Sequence, residues 1–180
     1  MSGIKNKYSI EGDIVKILLE SKYGNYYTIL DLDDFNNKIK NITAKWNIRG
    51  KEDLYAQRTF GVGKIDGVYH NNTQNMHFLI INCPKGMFID HINHNTLDNR
   101  KCNLRVISCQ ENDTHRKGAN KNNKSGYRNV FWNSAIGKWS VNICKNYQHI
   151  HIGDFDDVNE AGRAAEEARK KYFGKFSGNG

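Results

Sequence analysis

Along the first half of the chain, apolar residues come in short runs that alternate with polar ones. Ile14–Leu19 follows Gly12-Asp13, and Tyr26–Leu32 is a second run rich in strand formers, so a β-hairpin is predicted across Ser21–Asn25. Asp31–Asn41 is polar except for Phe35 and Ile39, four apart, which suits a short amphipathic helix. Trp46–Ile48, Leu54–Phe60 and Val68–His70 read as further strands, and Met76–Ile81 leads into the turn Cys83-Pro84-Lys85-Gly86. Residues 1–76 are thus expected to form a β-rich N-terminal scaffold.

The pattern changes in the last third. Residues 117–125 (KGANKNNKS) are basic, polar and without large apolar side chains, as in a linker. Tyr127–Asn133, Lys138–Asn146 and Gln148–Phe155 then read as three strands separated by turns containing Asn and Gly. Asp157 with Glu160 marks a helix start, Ala161, Ala165, Ala168 and Tyr172 form one stripe, and Gly174 supplies the stop. Residues 126–178 are therefore expected to be a three-stranded antiparallel sheet with one packed helix. Alternation places Trp139, Val141 and Ile143 inward with Ile150 and Ile152, and turns Ser140, Asn142, Cys144, His149 and His151 outward.

Composition narrows the class of protein. The chain has 180 residues and a formal net charge of +8. Residues 114–153 contain Arg116, Lys117, Lys121, Lys124, Arg128, Lys138 and Lys145 and no acidic residue. A one-sign block of this length favours a polyanionic partner such as nucleic acid. No apolar run approaches the ~20 residues of a membrane helix, and the N-terminus lacks the apolar core of a signal peptide. A membrane partner is therefore not expected. The four cysteines form no CxxC pair, so free thiols are expected and a zinc site is not.

The segment with the most chemistry is 87–116, MFIDHINHNTLDNRKCNLRVISCQENDTHR. Met87–Ile89 is strand-like and ends in Asp90-His91. The stretch 92–102 is rich in Asn and Asp, which favours a loop ordered by side-chain to backbone hydrogen bonds. Leu104–Ile107 is a second strand, and Ser108 with Glu111 forms a capping box that starts a helix. Strand, loop, strand and helix can fold over so that Asp90, His91 and Asn112 converge. A carboxylate oxygen and an amide oxygen suit a hard divalent ion, and a neutral His beside them can deprotonate water. That is the equipment of phosphodiester hydrolysis.

The same residues resemble the HNH endonucleases with their ββα-metal motif, in which an Asp-His pair, a central Asn and a helix-borne Asn or His recur in this order. Here they are Asp90-His91, Asn103 and Asn112, and the string DHIN..TLDNR..NLR is similar to the phage and mobile-element branch. The resemblance implies that His91 is the general base, that Asp90 and Asn112 hold one Mg2+ with Mn2+ able to substitute, and that Asn103 keeps His91 and the loop in place. His94 stands where relatives often have Gly in the turn; His tolerates a left-handed backbone better than most residues. The nuclease core is expected over 77–116, with His77 supporting the site from the preceding strand.

Residues 127–176 resemble the APETALA-type (plant ethylene-response-factor) DNA-binding domain through Tyr127-Arg128, Gly137-Lys138-Trp139, Ile143, Gly153, Phe155 and the Ala-rich helix. That resemblance implies that the outer face of the sheet lies against duplex DNA, with Arg128, Lys138, Asn142, Lys145, His149 and His151 as contacts. The expected fold class is α+β. The expected function is a homing- or phage-type DNA endonuclease, a monomer or weak dimer in the cytoplasm of a bacterial or phage-infected cell. The alternative is a catalytically silent DNA-binding protein that retains the HNH fold.

Overall fold

A computed structural model describes residues 3–115, 118–146 and 148–178. The fold is mixed, with small antiparallel sheets and few helices. Contacts divide the chain into two compact units at Ile107/Ser108.

In the first unit, β1 (Tyr8–Glu11), β2 (Ile14–Ser21) and β3 (Gly24–Asp31) form one sheet in that order. The expected β2–β3 hairpin is present, with Ser21 opposite Gly24. The next residues begin a helical turn, α1 (Leu32–Asp34), which continues as a π-helical turn over Phe35–Ile39; both Phe35 and Ile39 are buried. β4 (Asn47–Arg49), β5 (Tyr55–Ile65) and β6 (Val68–Asn75) make a second sheet, and β7 (Phe88–His91) pairs with β8 (Leu104–Ile107). Val15, Ile17 and Leu19 of β2 alternate into a core shared with Leu30, Trp46, Met76, Ile80 and Leu104. Asn6 pins Trp46 against β2: its amide oxygen accepts from the Trp46 N–H, and its amide nitrogen donates to the Leu18 and Trp46 carbonyls.

The segment after β6 is helical. His77 lies in α2 (His77–Ile80), a single turn, and so supports its neighbours from a helix rather than from a strand. One turn shows too few residues for a periodicity, which is why an apolar run there reads as extended.

In the second unit, α3 (Cys109–Thr114) starts at the predicted capping box: Ser108 Oγ accepts from the Glu111 N–H, and the Glu111 carboxylate accepts from the Ser108 N–H. β9 (Val130–Asn133), β10 (Lys138–Lys145) and β11 (Gln148–Phe155) form an antiparallel sheet with β10 central. α4 (Val158–Phe173), capped by Asp157, lays Ala161 and Ala165 on Val130 and Val141. Lys117 lies outside the described residues. Within the rest of 118–125, Asn123 and Ser125 donate to the Tyr127 and Val130 carbonyls, which ties the approach to β9.

Small residues set the distance between helix and sheet. A Cβ at Gly162 would lie 2.6 Å from the Tyr127 ring. Gly162→Ala, which in an open helix gains about 1 kcal/mol, is expected here to cost about 1–3 kcal/mol, read as a lower melting temperature.

Ser140 alternates with the core residue Val141 on β10 and is nonetheless buried, its hydroxyl donating to the Asp154 carboxylate opposite it on β11. Val141 and Ile143 are buried as expected, and His149 and His151 are exposed.

Candidate active site

β7 and β8 run antiparallel, with Asp90 opposite Arg105 and His91 opposite Leu104. Asp90 and His91, at the end of β7, are only 9% and 4% exposed. The Arg105 guanidinium reaches Asp90 Oδ2 at 2.7 Å through both Nε and a terminal nitrogen.

The loop between these strands is held from within by its own side chains. Asn93 Oδ1 accepts from the Asn95 N–H, Asn95 Oδ1 from the Leu97 N–H, and Asp98 takes a bidentate Arg100 at 2.8 and 2.7 Å. These bonds hold the Asp98 carboxyl below its usual range against the opposing effect of burial, and the Asn93 amide adds a further donor. Asn103 closes the loop: its amide oxygen accepts from the Asn93 N–H at 2.9 Å and its amide nitrogen donates to the Asp98 carbonyl at 2.8 Å. His94 adopts φ +60°, the left-handed turn expected for it, and its N–H donates to the His91 carbonyl.

The N-terminal sheet braces the loop from outside. The Ile29 N–H donates to the Leu97 carbonyl, and the Asn99 N–H to the Ile29 carbonyl. Asp31 accepts from the Lys101 N–H, and Thr96 donates to the Leu54 carbonyl. The Thr28 hydroxyl donates to the Leu97 carbonyl and accepts from the Asn99 amide nitrogen, both at 2.8 Å. With its nitrogen committed to Thr28, Asn99 turns its oxygen toward His91 Nε2 at 3.4 Å. That oxygen selects the tautomer protonated at Nε2 and leaves the lone pair on Nδ1.

Two rings complete the surroundings of His91. His77 lies edge-on with centroids 5.3 Å apart, and Tyr55 packs at 5.6 Å from His77 and 6.1 Å from His91. Burial lowers the pKa of His91, while the Asn99 bond and the charges of Asp90, Asp98 and Asp53 act in the opposite sense. Burial, with the nearby His91, pushes His77 down to about 4. The unfolded chain therefore takes up this proton near pH 6.5, before the folded protein does, so stability falls as the pH drops from 6.5 toward 4. The expected loss is about 2–3 kcal/mol by pH 4.5, read from urea unfolding, and it is absent from the difference between pH 8 and 4.5 in His77→Gln.

Asp90, His91 and Asn103 thus lie in the first unit, with the Asn103 amide bonded to the Asn93 N–H and the Asp98 carbonyl of the loop. Asn112 belongs to the second, exposed in the first turns of α3, where its N–H donates to the Ser108 carbonyl. The sequence alone does not single out Thr28, Asn99 or Arg105. Asn99 and Arg105 lie in the strings TLDNR and NLR, but nothing local to them points to Thr28 or Asp90.

The expected DNA contacts lie in the second unit. Asn142 and His151 are paired across β10–β11, with Asn142 Oδ1 at 2.8 Å from His151 Nδ1 and Asp154 at 3.1 Å from Nε2. His149 is exposed opposite Cys144. Lys138 pairs with Asp156, Lys145 donates to the Tyr172 carbonyl, and Arg128 donates to the Thr114 and Ser177 carbonyls. Trp132 packs edge-on against Trp139, with centroids 5.1 Å apart.

No helix among the described residues is long and apolar enough to cross a membrane. No solved structure matches the chain. A protein of Acanthamoeba polyphaga mimivirus, described as an uncharacterized HNH endonuclease, is 27% identical over 94 residues, which cover 52% of this chain. The match spans about half of that relative, 47% of its length. Residues 82–114, which hold Asp90, His91, Asn99, Asn103, Arg105 and Asn112, match the HNH endonuclease family.

Proposed function

We propose that the chain is a divalent-metal-dependent HNH endonuclease that hydrolyses phosphodiester bonds in duplex DNA, of the homing or phage type. The observation that carries this reading is the oriented imidazole: His91, buried beside Asp90, is aligned by Asn99 inside the segment that matches the family.

His91 takes a proton from the attacking water at Nδ1 while its Nε2–H stays on the Asn99 oxygen. The imidazolium that forms is stabilised by the negative charges of Asp90, Asp98 and Asp53. Asn103 acts on the loop backbone as a positioning residue. The donor set of Asp90 and Asn112, a carboxylate oxygen and an amide oxygen, fits a hard cation that keeps several waters, so Mg2+ or Mn2+ is the expected metal. Such an ion stabilises charge on the phosphate and on the leaving oxygen. By the family resemblance the products carry a 3′-hydroxyl and a 5′-phosphate. One nuclease unit per chain nicks one strand.

In this reading α3 completes a ββα unit with β7 and β8, and the β9–β11 sheet binds duplex DNA in the manner of the APETALA-type domain. Arg128, Asn142, His149 and His151 are the contacts proposed for its outward face, and Lys138 and Lys145 serve phosphates. Asn112→Ala is expected to slow plasmid nicking at least tenfold and to raise the Mg2+ concentration needed for half-maximal rate. Unchanged rate and unchanged metal demand would remove Asn112 from the ligand set.

The Arg105–Asp90 pair favours a second reading, a DNA-binding protein without cleavage, since a guanidinium on Asp90 Oδ2 competes with a cation for that oxygen. This reading predicts duplex binding and no nicking in any divalent metal.

A further inference from the structure

β5 and β6 continue well past the body of the first unit. Their pairing runs from Gln57↔Asn75 to Ile65↔Val68, closed by Asp66-Gly67, and every residue from Thr59 to Thr73 is exposed. At about 3.4 Å per residue the ribbon reaches about 30 Å. Its root is at the candidate active site: Tyr55, the first residue of β5, packs on His77 and His91, and His77 follows β6 by one residue.

Register sorts the two faces. Ala56, Arg58 and Phe60 lie on one, where Ala56 is in the core and Arg58 covers the Trp46 ring. Gln57, Thr59, Lys64, Tyr69, Asn71 and Thr73 lie on the other, which is the face that carries Tyr55. A bulge between Gly61 and Gly63 keeps Lys64 on this side, opposite Tyr69. Neither strand contains a carboxylate; the ribbon's one acidic residue is Asp66 in the turn, against Arg58 and Lys64.

We infer that this ribbon is a second DNA contact, entering the major groove of the duplex beside the position where His91 acts. The inference rests on the nuclease reading. Two paired strands about 4.8 Å apart, with their side chains, fit a groove about 12 Å wide, and amide side chains such as Gln57 and Asn71 match the donor–acceptor edges displayed there. Lys64 supplies a phosphate contact. The narrow major groove of duplex RNA excludes such a ribbon.

The test is anisotropy of a 30-base-pair DNA duplex titrated with the full chain in EDTA, where binding is read without cleavage. In one variant Gly61–Asn71 is replaced by a two-residue Asn-Gly turn, which keeps the Arg58↔Gln74 and Thr59↔Thr73 pairs. In a second, Lys64→Glu is combined with Asn71→Glu, both at exposed positions. The shortened ribbon is expected to weaken binding at least tenfold. The double substitution is expected to weaken it several-fold and to lower the slope of log affinity against log salt by about 1, one phosphate contact. A DNA duplex should compete better than an RNA duplex of the same sequence. Equal binding by parent and both variants, or equal competition by RNA, overturns the ribbon's role alone. Absence of duplex binding by the parent overturns both this role and the DNA reading beneath it.

Discussion

His91→Ala is expected to lower the rate of plasmid nicking by about 10²–10⁴-fold while duplex binding in EDTA stays at the parent's level. The size follows from the proposed role of His91 as the group that removes a proton from water, with Nε2 on the Asn99 oxygen. Binding is retained because a ring that is 4% exposed offers little surface to DNA. His91→Gln provides a second variant that refills most of the space, so a loss of nicking shared by both separates chemistry from packing. Asn99→Ala should fall between parent and His91→Ala, since it frees the ring without removing it.

The second large effect is on stability. Asn103→Ala is expected to cost about 2–4 kcal/mol, measured as a lower urea midpoint with an unchanged slope. Its amide satisfies two loop groups at once, the Asn93 N–H and the Asp98 carbonyl, and alanine leaves both without that partner. Asn103→Asp retains the acceptor for the Asn93 N–H and loses the donor to Asp98, so it should recover part of the loss.

The features legible in the sequence are those that depend on neighbours along the chain. The Ser108–Glu111 box, β8, the Asp157 cap, and the Ala161 and Ala165 contacts arise from spacings of three or four residues or from a period of two. His94 takes the left-handed backbone at φ +60°, a conformation that His tolerates better than most residues. The features that stay hidden depend on contacts between distant segments. Thr28 reads as an ordinary strand residue, yet it orients Asn99, 71 positions away, and through it His91. His77 sits in a helix of one turn, too short to show a period. Ser140 is buried through its bond to Asp154 on the neighbouring strand, a cross-strand contact that alternation along β10 does not register. Gly61 and Gly63 look like the end of a strand, but they mark a bulge in the middle of the ribbon, so β5 runs to Ile65.

The central claim is that the Asp90-His91 site hydrolyses DNA with a divalent metal, and conversion of supercoiled plasmid to open circles by the purified full chain tests it most directly. The account predicts open circles in Mg2+ or Mn2+, none in EDTA, and at least a hundredfold slower conversion by Asp90→Ala. Intact plasmid in every divalent metal, or conversion by Asp90→Ala at the parent's rate, would contradict it.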